Sequence, residues 1–399
     1  MSLQNTPSGE RLHIGFFGLR NAGKSSVVNA VTNQNLSVVS DVLGTTTDPV
    51  KKAMELLPLG AVVIIDTPGL DDEGVLGEMR VQKAKEVLAH TDIAVLVVDS
   101  QKGMGELDLE LLDIFKEKKL PYIVAYNKLD LVEHKANLKD NELYVSAQTG
   151  ENIDALKELI AKLSKSAKES KPIVSDLIEK DDIIVLVIPI DESAPKGRLI
   201  LPQQMVMRDI LDHHAMCICT QVAELDKTLK SLSRKPKLVI TDSQAFGSVA
   251  KIVPDNITLT SFSILMARYK GDLKELINGA SMLGHLKDND KVLIAEGCTH
   301  HRQCNDIGTV KMPAWIENFS KSKPQFSFTS GGTFPDDLNE YKLIVHCGGC
   351  MLNEKEMKHR MQKANAQSVP IVNYGIAIAH MHGILKRSLE PFPDILKLL

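Results

Sequence analysis

Short runs of β-branched and aliphatic residues recur along the first part of the chain, each followed by turn residues and then by a stretch with helical spacing. Ile14–Phe17, Val62–Ile65, Ala94–Val98 and Tyr122–Ala125 read as strands, and Arg80–Leu88, Leu107–Lys118 and Ile153–Leu163 as helices. Continuous apolar strands alternating with amphipathic helices predict a mostly parallel sheet covered on both faces. Ser164–Pro172, rich in Lys and Ser, reads as a linker. The pattern then resumes with strands at Ile183–Pro189, Met216–Thr220, Lys237–Thr241 and Ile257–Phe262, and helices at Gln203–Asp212 and Ala223–Ser231. A third segment, from near Ser263, has strands at Val292–Ala295, Gln325–Thr329, Leu343–Val345 and Pro370–Asn373. The expected fold class is α/β: three consecutive α/β domains over residues 1–168, 169–262 and 263–399, the second and third built on mostly parallel sheets.

Composition narrows the options. The longest apolar runs, Ile93–Val98 and Ile183–Ile188, fall far short of the roughly 20 residues a bilayer span needs, so the expectation is a soluble, cytoplasmic protein with no membrane partner. The balance of 47 basic against 51 acidic residues argues against a nucleic-acid coat. Residues 264–399 carry 17 Lys/Arg against 14 Asp/Glu without a dense basic run, so work on RNA is not expected. Four of the six cysteines (Cys298, Cys304, Cys347 and Cys350) lie in the last third. In a reducing compartment such clustering points to metal or redox chemistry before crosslinks.

Gly18-Leu19-Arg20-Asn21-Ala22-Gly23-Lys24-Ser25 follows the first strand and opens a helical run, which is the phosphate-loop pattern in its required context. Backbone N–H groups from Gly18 to Ser26 wrap phosphates, Lys24 reaches the β- and γ-phosphates, and Ser25 binds Mg²⁺. Asp66-Thr67-Pro68-Gly69 ends the next strand, where Asp66 holds Mg²⁺ through water and Gly69 contacts the γ-phosphate. Asn127-Lys128-Leu129-Asp130 follows a third strand, and Asp130 can accept from both N1–H and N2–H₂ of guanine, which selects GTP over ATP. Ser146-Ala147-Gln148 completes the base pocket, and Gly44–Asp48 supplies a switch threonine over Mg²⁺, Thr46 or else Thr45. These elements resemble the small GTPases of tRNA modification and ribosome assembly, and the resemblance implies an N-terminal GTP-hydrolysing domain. Position 70 is Leu, where Ras-like proteins have a water-orienting Gln. Asn21 matches the residue that helps bind K⁺ in potassium-activated relatives.

Cys298-Thr299-His300 and His346-Cys347-Gly348-Gly349-Cys350 each follow an apolar strand. Neighbouring parallel strands end on one edge, so the two groups can meet there despite the 45 residues between the histidines. Soft thiolates suit either zinc or an iron–sulfur cluster. Cys217 and Cys219 alternate on a strand and read as core or interface packing, while His380 and His382 read as helix-surface residues able to line a metal pocket.

A guanine-nucleotide domain followed by Cys-x-His and a distant His-Cys-x-x-Cys resembles the [FeFe]-hydrogenase maturation GTPases, the HydF family, along the whole chain. That resemblance implies a GTP-binding domain, a dimerisation domain and a domain binding a [4Fe–4S] cluster. It also implies a scaffold that delivers the di-iron subcluster to apo-[FeFe]-hydrogenase, in company with radical-SAM maturases. By the same resemblance Cys298, Cys347 and Cys350 are the cluster thiolates, and His300 and His346 match the family's histidine positions as candidate ligands. An apolar Met216–Val222 stretch that needs cover adds the expectation of a homodimer. The rival reading is an RNA- or ribosome-associated GTPase with a structural zinc site.

Overall fold

The computed structural model describes residues 8–34, 50–67, 87–133, 138–167, 171–190, 199–297, 306–331, 333–349, 352–397 and 399. The chain divides into two compact units, Met1–Ser170 and Lys171–Leu399.

The first unit is built on a six-stranded sheet of order β2-β3-β1-β4-β5-β6. Its strands are β1 Leu12–Phe17, β2 Val50–Leu56, β3 Gly60–Asp66, β4 Ile93–Asp99, β5 Tyr122–Asn127 and β6 Glu142–Tyr144. Every residue of β4 is buried. Ile93, Val95 and Val97 join one core layer, and Ala94, Leu96 and Val98 join the other. An uninterrupted apolar run is what a strand covered on both faces requires. β2 runs antiparallel to β3, an addition to the expected parallel sheet. β1 lies between β3 and β4. The chain therefore leaves β1 where successive strands are laid on opposite sides, and in open α/β sheets ligands collect at that crevice. The helix Ile153–Ala167 closes this sheet and runs past Ser164, which shortens the expected linker.

The second unit holds two four-stranded sheets, both wholly parallel. One has the order β10-β9-β7-β8 and the other β12-β11-β13-β14. The first comprises β7 Ile183–Val187, β8 Met216–Thr220, β9 Leu238–Thr241 and β10 Thr258–Ser261. The second comprises β11 Lys291–Ala295, β12 Gln325–Thr329, β13 Leu343–His346 and β14 Ile371–Asn373. One continuous core joins them, from Ile184 and Val206 through Leu265 and Leu276 to Ile344 and Leu389. Phe262 was expected at the end of a strand but opens the helix Phe262–Lys270, capped by Ser261 Oγ accepting from Ile264 N–H. The fold is mixed α/β throughout, a six-stranded mixed sheet followed by two parallel sheets. Among the described residues, no helix is long and apolar enough to cross a membrane.

Candidate functional site

The loop after β1 leads into the helix Lys24–Thr32. Gly23 adopts φ +82°, and a Cβ there would lie 2.2 Å from Asn127 Nδ2. Only glycine meets both demands. That close approach lets Asn127 Nδ2 donate to Ala22 O at 3.0 Å, while Asn127 Oδ1 accepts from Ala147 N–H at 3.1 Å. One buried amide thus ties the phosphate loop, the end of β5 and the Ser146-Ala147 turn together. Asn21 is exposed in the left-handed region at φ +62°.

Lys24 Nζ donates to Asp66 Oδ1 at 2.6 Å and Ser25 Oγ to Asp66 Oδ2 at 2.9 Å. Lys24 and Asp66 are each only 8% exposed. The three groups expected to hold phosphate and Mg²⁺ therefore form one buried cluster. Gly23 caps the helix without a side-chain bond, so the first-turn N–H groups suit an anion. Ser26 is half-buried in that turn.

On the base side, Lys128 takes φ +67° and its ammonium meets Asp99 Oδ2 at 2.6 Å. Burial pushes the Asp99 carboxyl up, but hydrogen bonds from Lys128 and Gln101 N–H, with the Lys128 and Lys102 charges, hold it below the usual carboxylate value. Asp130 is exposed, and one of its oxygens accepts from the buried Ser146 Oγ at 2.5 Å. The remaining carboxylate lone pairs suit the two guanine donors. Thr46, its alternative Thr45, Gly69 and Leu70 lie outside the described residues.

The second constellation sits at the carboxyl edge of the β11–β13 pair. Ala295 is in register with His346, and Cys347 N–H donates to Ala295 O at 2.9 Å. Gly297 N–H donates to Cys347 Sγ at 3.0 Å, and Gly349 N–H reaches the same sulfur at 3.4 Å. Two N–H donors on one sulfur favour its thiolate, the form that binds metal. Cys298, His300, Cys304 and Cys350 lie outside the described residues, and Gly297 marks where the Cys298 segment leaves β11.

His346 is fully buried, with Nδ1 donating to Cys347 O at 2.8 Å and Nε2 accepting from Arg360 Nη1 at 3.1 Å. Burial and the adjacent Arg360 charge depress its pKa to about 4. Both ring nitrogens are engaged in holding the loop. Arg360 is itself fully buried: Nε donates to Glu356 Oε1 at 2.7 Å, Nη2 to Gly331 O at 2.8 Å, and the guanidinium lies 5.1 Å from the Phe334 ring centre. From the other side Lys270, 3% exposed, donates to Gly349 O at 3.2 Å and Leu352 O at 3.0 Å. Glu296, at the end of β11, accepts from Tyr374 OH at 3.3 Å. Burial and the Glu296 carboxylate together push the phenol well above its ordinary pKa. His380 and His382 stack edge-on against Phe319 and Trp315, with ring centres 5.4 and 6.0 Å apart.

Lys270, Glu356 and Arg360 went unnoticed in the sequence. The one available signal was the Glu356/Arg360 spacing of four, which in a polar helix normally marks a solvated pair.

Comparison with known proteins adds to this geometry. Residues 13–128 match a family described as 50S ribosome-binding GTPase. Residues 173–271 match the Hydrogen maturase F dimerization domain, and residues 274–391 the Hydrogen maturase F tetramerization domain. The chain belongs to the hydrogen maturase F family. Its N-terminal unit is a GTPase domain of the kind found in other GTPases. GTPase Der of Mycoplasmopsis agalactiae is 30% identical over 193 residues, 43% of this chain and 44% of that protein. The tRNA modification GTPase MnmE of Legionella pneumophila is 34% identical over 155 residues, 38% of this chain and 34% of its own. The chain therefore spans less than half the length of these relatives. Among solved structures, Era of Aquifex aeolicus bound to GDP and AlF₄⁻ aligns over 52% of this chain and 91% of its own, at 19% identity and TM-score 0.36. The G domain of the T. maritima FeoB iron transporter covers 39% of this chain and 99% of its own, at 24% identity and TM-score 0.31.

Proposed function

We propose that this hydrogen maturase F chain hydrolyses GTP with Mg²⁺. We propose also that it holds a [4Fe–4S] cluster on Cys298, Cys347 and Cys350 and hands the di-iron subcluster of an [FeFe]-hydrogenase to the apo-enzyme. The observation that carries the reading is the Gly297 N–H to Cys347 Sγ hydrogen bond of 3.0 Å, formed between two strand ends fifty residues apart in a family built around hydrogenase maturation. A cluster with three thiolates supplies one exchangeable iron position. Gly297 and Gly349 N–H groups lower the charge density on Cys347, and His346, Arg360 and Lys270 hold the loop in shape. His346, whose two ring nitrogens are both engaged, then orients the loop without binding iron, and His300 is left as a candidate ligand.

In the GTPase domain Lys24 serves the phosphates, Ser25, Thr46 and, through water, Asp66 serve Mg²⁺, Gly69 the γ-phosphate, and Asp130 the base. Asn21 serves a K⁺ ion that assists hydrolysis, and hydrolysis drives exchange of the hydrogenase and the radical-SAM maturases. We retain the three-part division at 168 and 262 as a functional one and place the protein in the reducing cytoplasm. The chain works as a homodimer joined along β8. In support, β8 pairs with β7 alone among the described residues. At the opposite edge, β10 is covered by Thr260 Oγ1 donating to Ser388 O and Leu259 N–H donating to Glu390. An exposed edge strand is a template for a second chain.

The test is anaerobic purification of the wild type and of Cys298→Ala, Cys347→Ala, Cys350→Ala and Lys24→Ala, with iron and sulfide content, GTP turnover and activation of apo-hydrogenase measured on each. The cysteine variants lose iron and activation but keep turnover, and Lys24→Ala does the reverse for turnover. Zinc in place of iron, with full activation by any cysteine variant, overturns the reading and favours the zinc-stabilised GTPase.

A further inference from the structure

β8 carries chemistry that hydrogenase maturation does not use. Cys217 and Cys219 lie two residues apart, so both side chains project from one face of the strand. Cys217 is half-buried against the shared core and Cys219 is exposed. Among the described residues no group of three or more His, Cys, Asp or Glu side chains could hold a metal ion. Two adjacent thiols are half of a tetrahedral site.

The backbone shows where the other half comes from. Met216 N–H donates to Asp182 O at 2.8 Å and Ile188 N–H to Thr220 O at 2.9 Å, so Met216 and Thr220 turn their peptide groups toward β7. By alternation Cys217 and Cys219 turn theirs outward, along the free edge. A second copy pairing antiparallel about a two-fold axis at Ile218 sets Cys217 of each chain opposite Cys219 of the other. Such hydrogen-bonded pairs have Cα atoms about 5.5 Å apart and side chains on the same face. All four thiols then share one small patch, within reach of an ion that takes sulfur at about 2.3 Å. Position and chemistry coincide: the residues whose peptides must form the inter-chain ladder are the ones that carry the sulfur.

We propose that Cys217 and Cys219 form half of a four-thiolate site for a soft divalent metal ion of the zinc class, completed by the same pair of a second copy across the β8 edge. Thiolate sulfur selects zinc or cadmium over magnesium or calcium. This rests on the β8 homodimer proposed above. The site joins two chains as a clip, stabilising the dimer in proportion to metal occupancy.

Cadmium is the probe, added anaerobically to the full-length wild type, to Cys217→Ser/Cys219→Ser and to Cys219→Ser alone. Bound metal, the ultraviolet thiolate-to-cadmium absorption band and the sedimentation coefficient are followed together. The cysteines of the cluster region contribute equally to all three proteins, so the difference between them isolates the β8 thiols. The wild type should bind one cadmium per two chains more than the double variant. Cys219→Ser, at an exposed position that leaves the fold intact, should weaken that binding at least about tenfold. A wild type that is dimeric but binds no more cadmium than the double variant overturns the metal site and leaves the dimer standing. So does a dimer with one extra cadmium per chain. A wild type that stays monomeric with or without cadmium overturns the β8 dimer itself, and the shared site with it.

Discussion

Replacing Arg360 by Met removes a fully buried, hydrogen-bonded charge from the second unit. Arg360 is fully buried with Glu356 at 3% exposure, and its guanidinium serves Glu356, His346 and Gly331. Methionine fills similar volume but leaves the Glu356 carboxylate facing an apolar side chain. Breaking a buried ion pair by removing one partner costs about 3–5 kcal/mol. The chain's single tryptophan, Trp315, lies in the helix Met312–Ser320 and packs on the shared core, so its fluorescence reports this unit and not the GTPase domain. With an m-value of about 3 kcal/mol/M, the Trp315 urea midpoint should fall by roughly 1–1.7 M. Arg360→Lys should lie between, since an ammonium keeps the charge and loses the fork. Pairing Arg360→Met with Glu356→Gln should restore part of the loss, because the carboxylate charge that Arg360 balanced is then removed as well. A midpoint for Arg360→Met within about 0.3 M of wild type would refute the reasoning, because so small a change means the pair is solvated or the unit repacks freely.

Three further outcomes are expected. Asp130→Asn should weaken guanine nucleotides and raise relative binding of xanthine nucleotides, because an amide presents a donor where guanine's N2–H₂ needs an acceptor; competition binding of the two measures it. GTP turnover should be slow and faster in K⁺ than in Na⁺ at matched ionic strength, and equal rates would remove Asn21 from the cation's coordination. Gly23→Ala should bind GDP more than about tenfold more weakly, because its Cβ displaces Asn127 from Ala22 O; an unchanged dissociation constant would show that the loop opens without cost.

Much of the fold was legible because the central strands are apolar along their whole length. Met216–Thr220 and Gln325–Thr329 were read to the residue, and β4 only lacked its ends. β2 was missed for a physical reason: it is a mostly exposed edge strand, and Val50–Leu56 shows no alternation to read. Phe262 was misplaced because an apolar residue after a strand fits either a last strand position or a first helical one. The nucleotide elements were legible because their spacing encodes backbone geometry that few other sequences need. The residues bracketing the Cys347 loop were not. Glu354–Ala366 is so polar that it reads as a solvated helix, and only its folding back after β13 brings Arg360 against His346. Lys270 belongs to the other sheet's helix, so no local pattern could connect it to Gly349.

The core shared by both sheets of the second unit also orders events during synthesis. Leu385 and Leu389 belong to the same cluster as Ile184 and Val206, and Ser388 closes onto Thr260 of β10. A nascent chain that ends before these residues lacks part of the layer on one face of its earlier strands. The Cys347 loop, braced by Lys270 on one side and Arg360 on the other, therefore takes shape only when both sheets are complete. At the usual ribosomal rate of about 5–20 residues per second, its thiols emerge seconds ahead of the scaffold that aligns them. On the cluster reading proposed above, metal loading then follows translation, on a chain already closed.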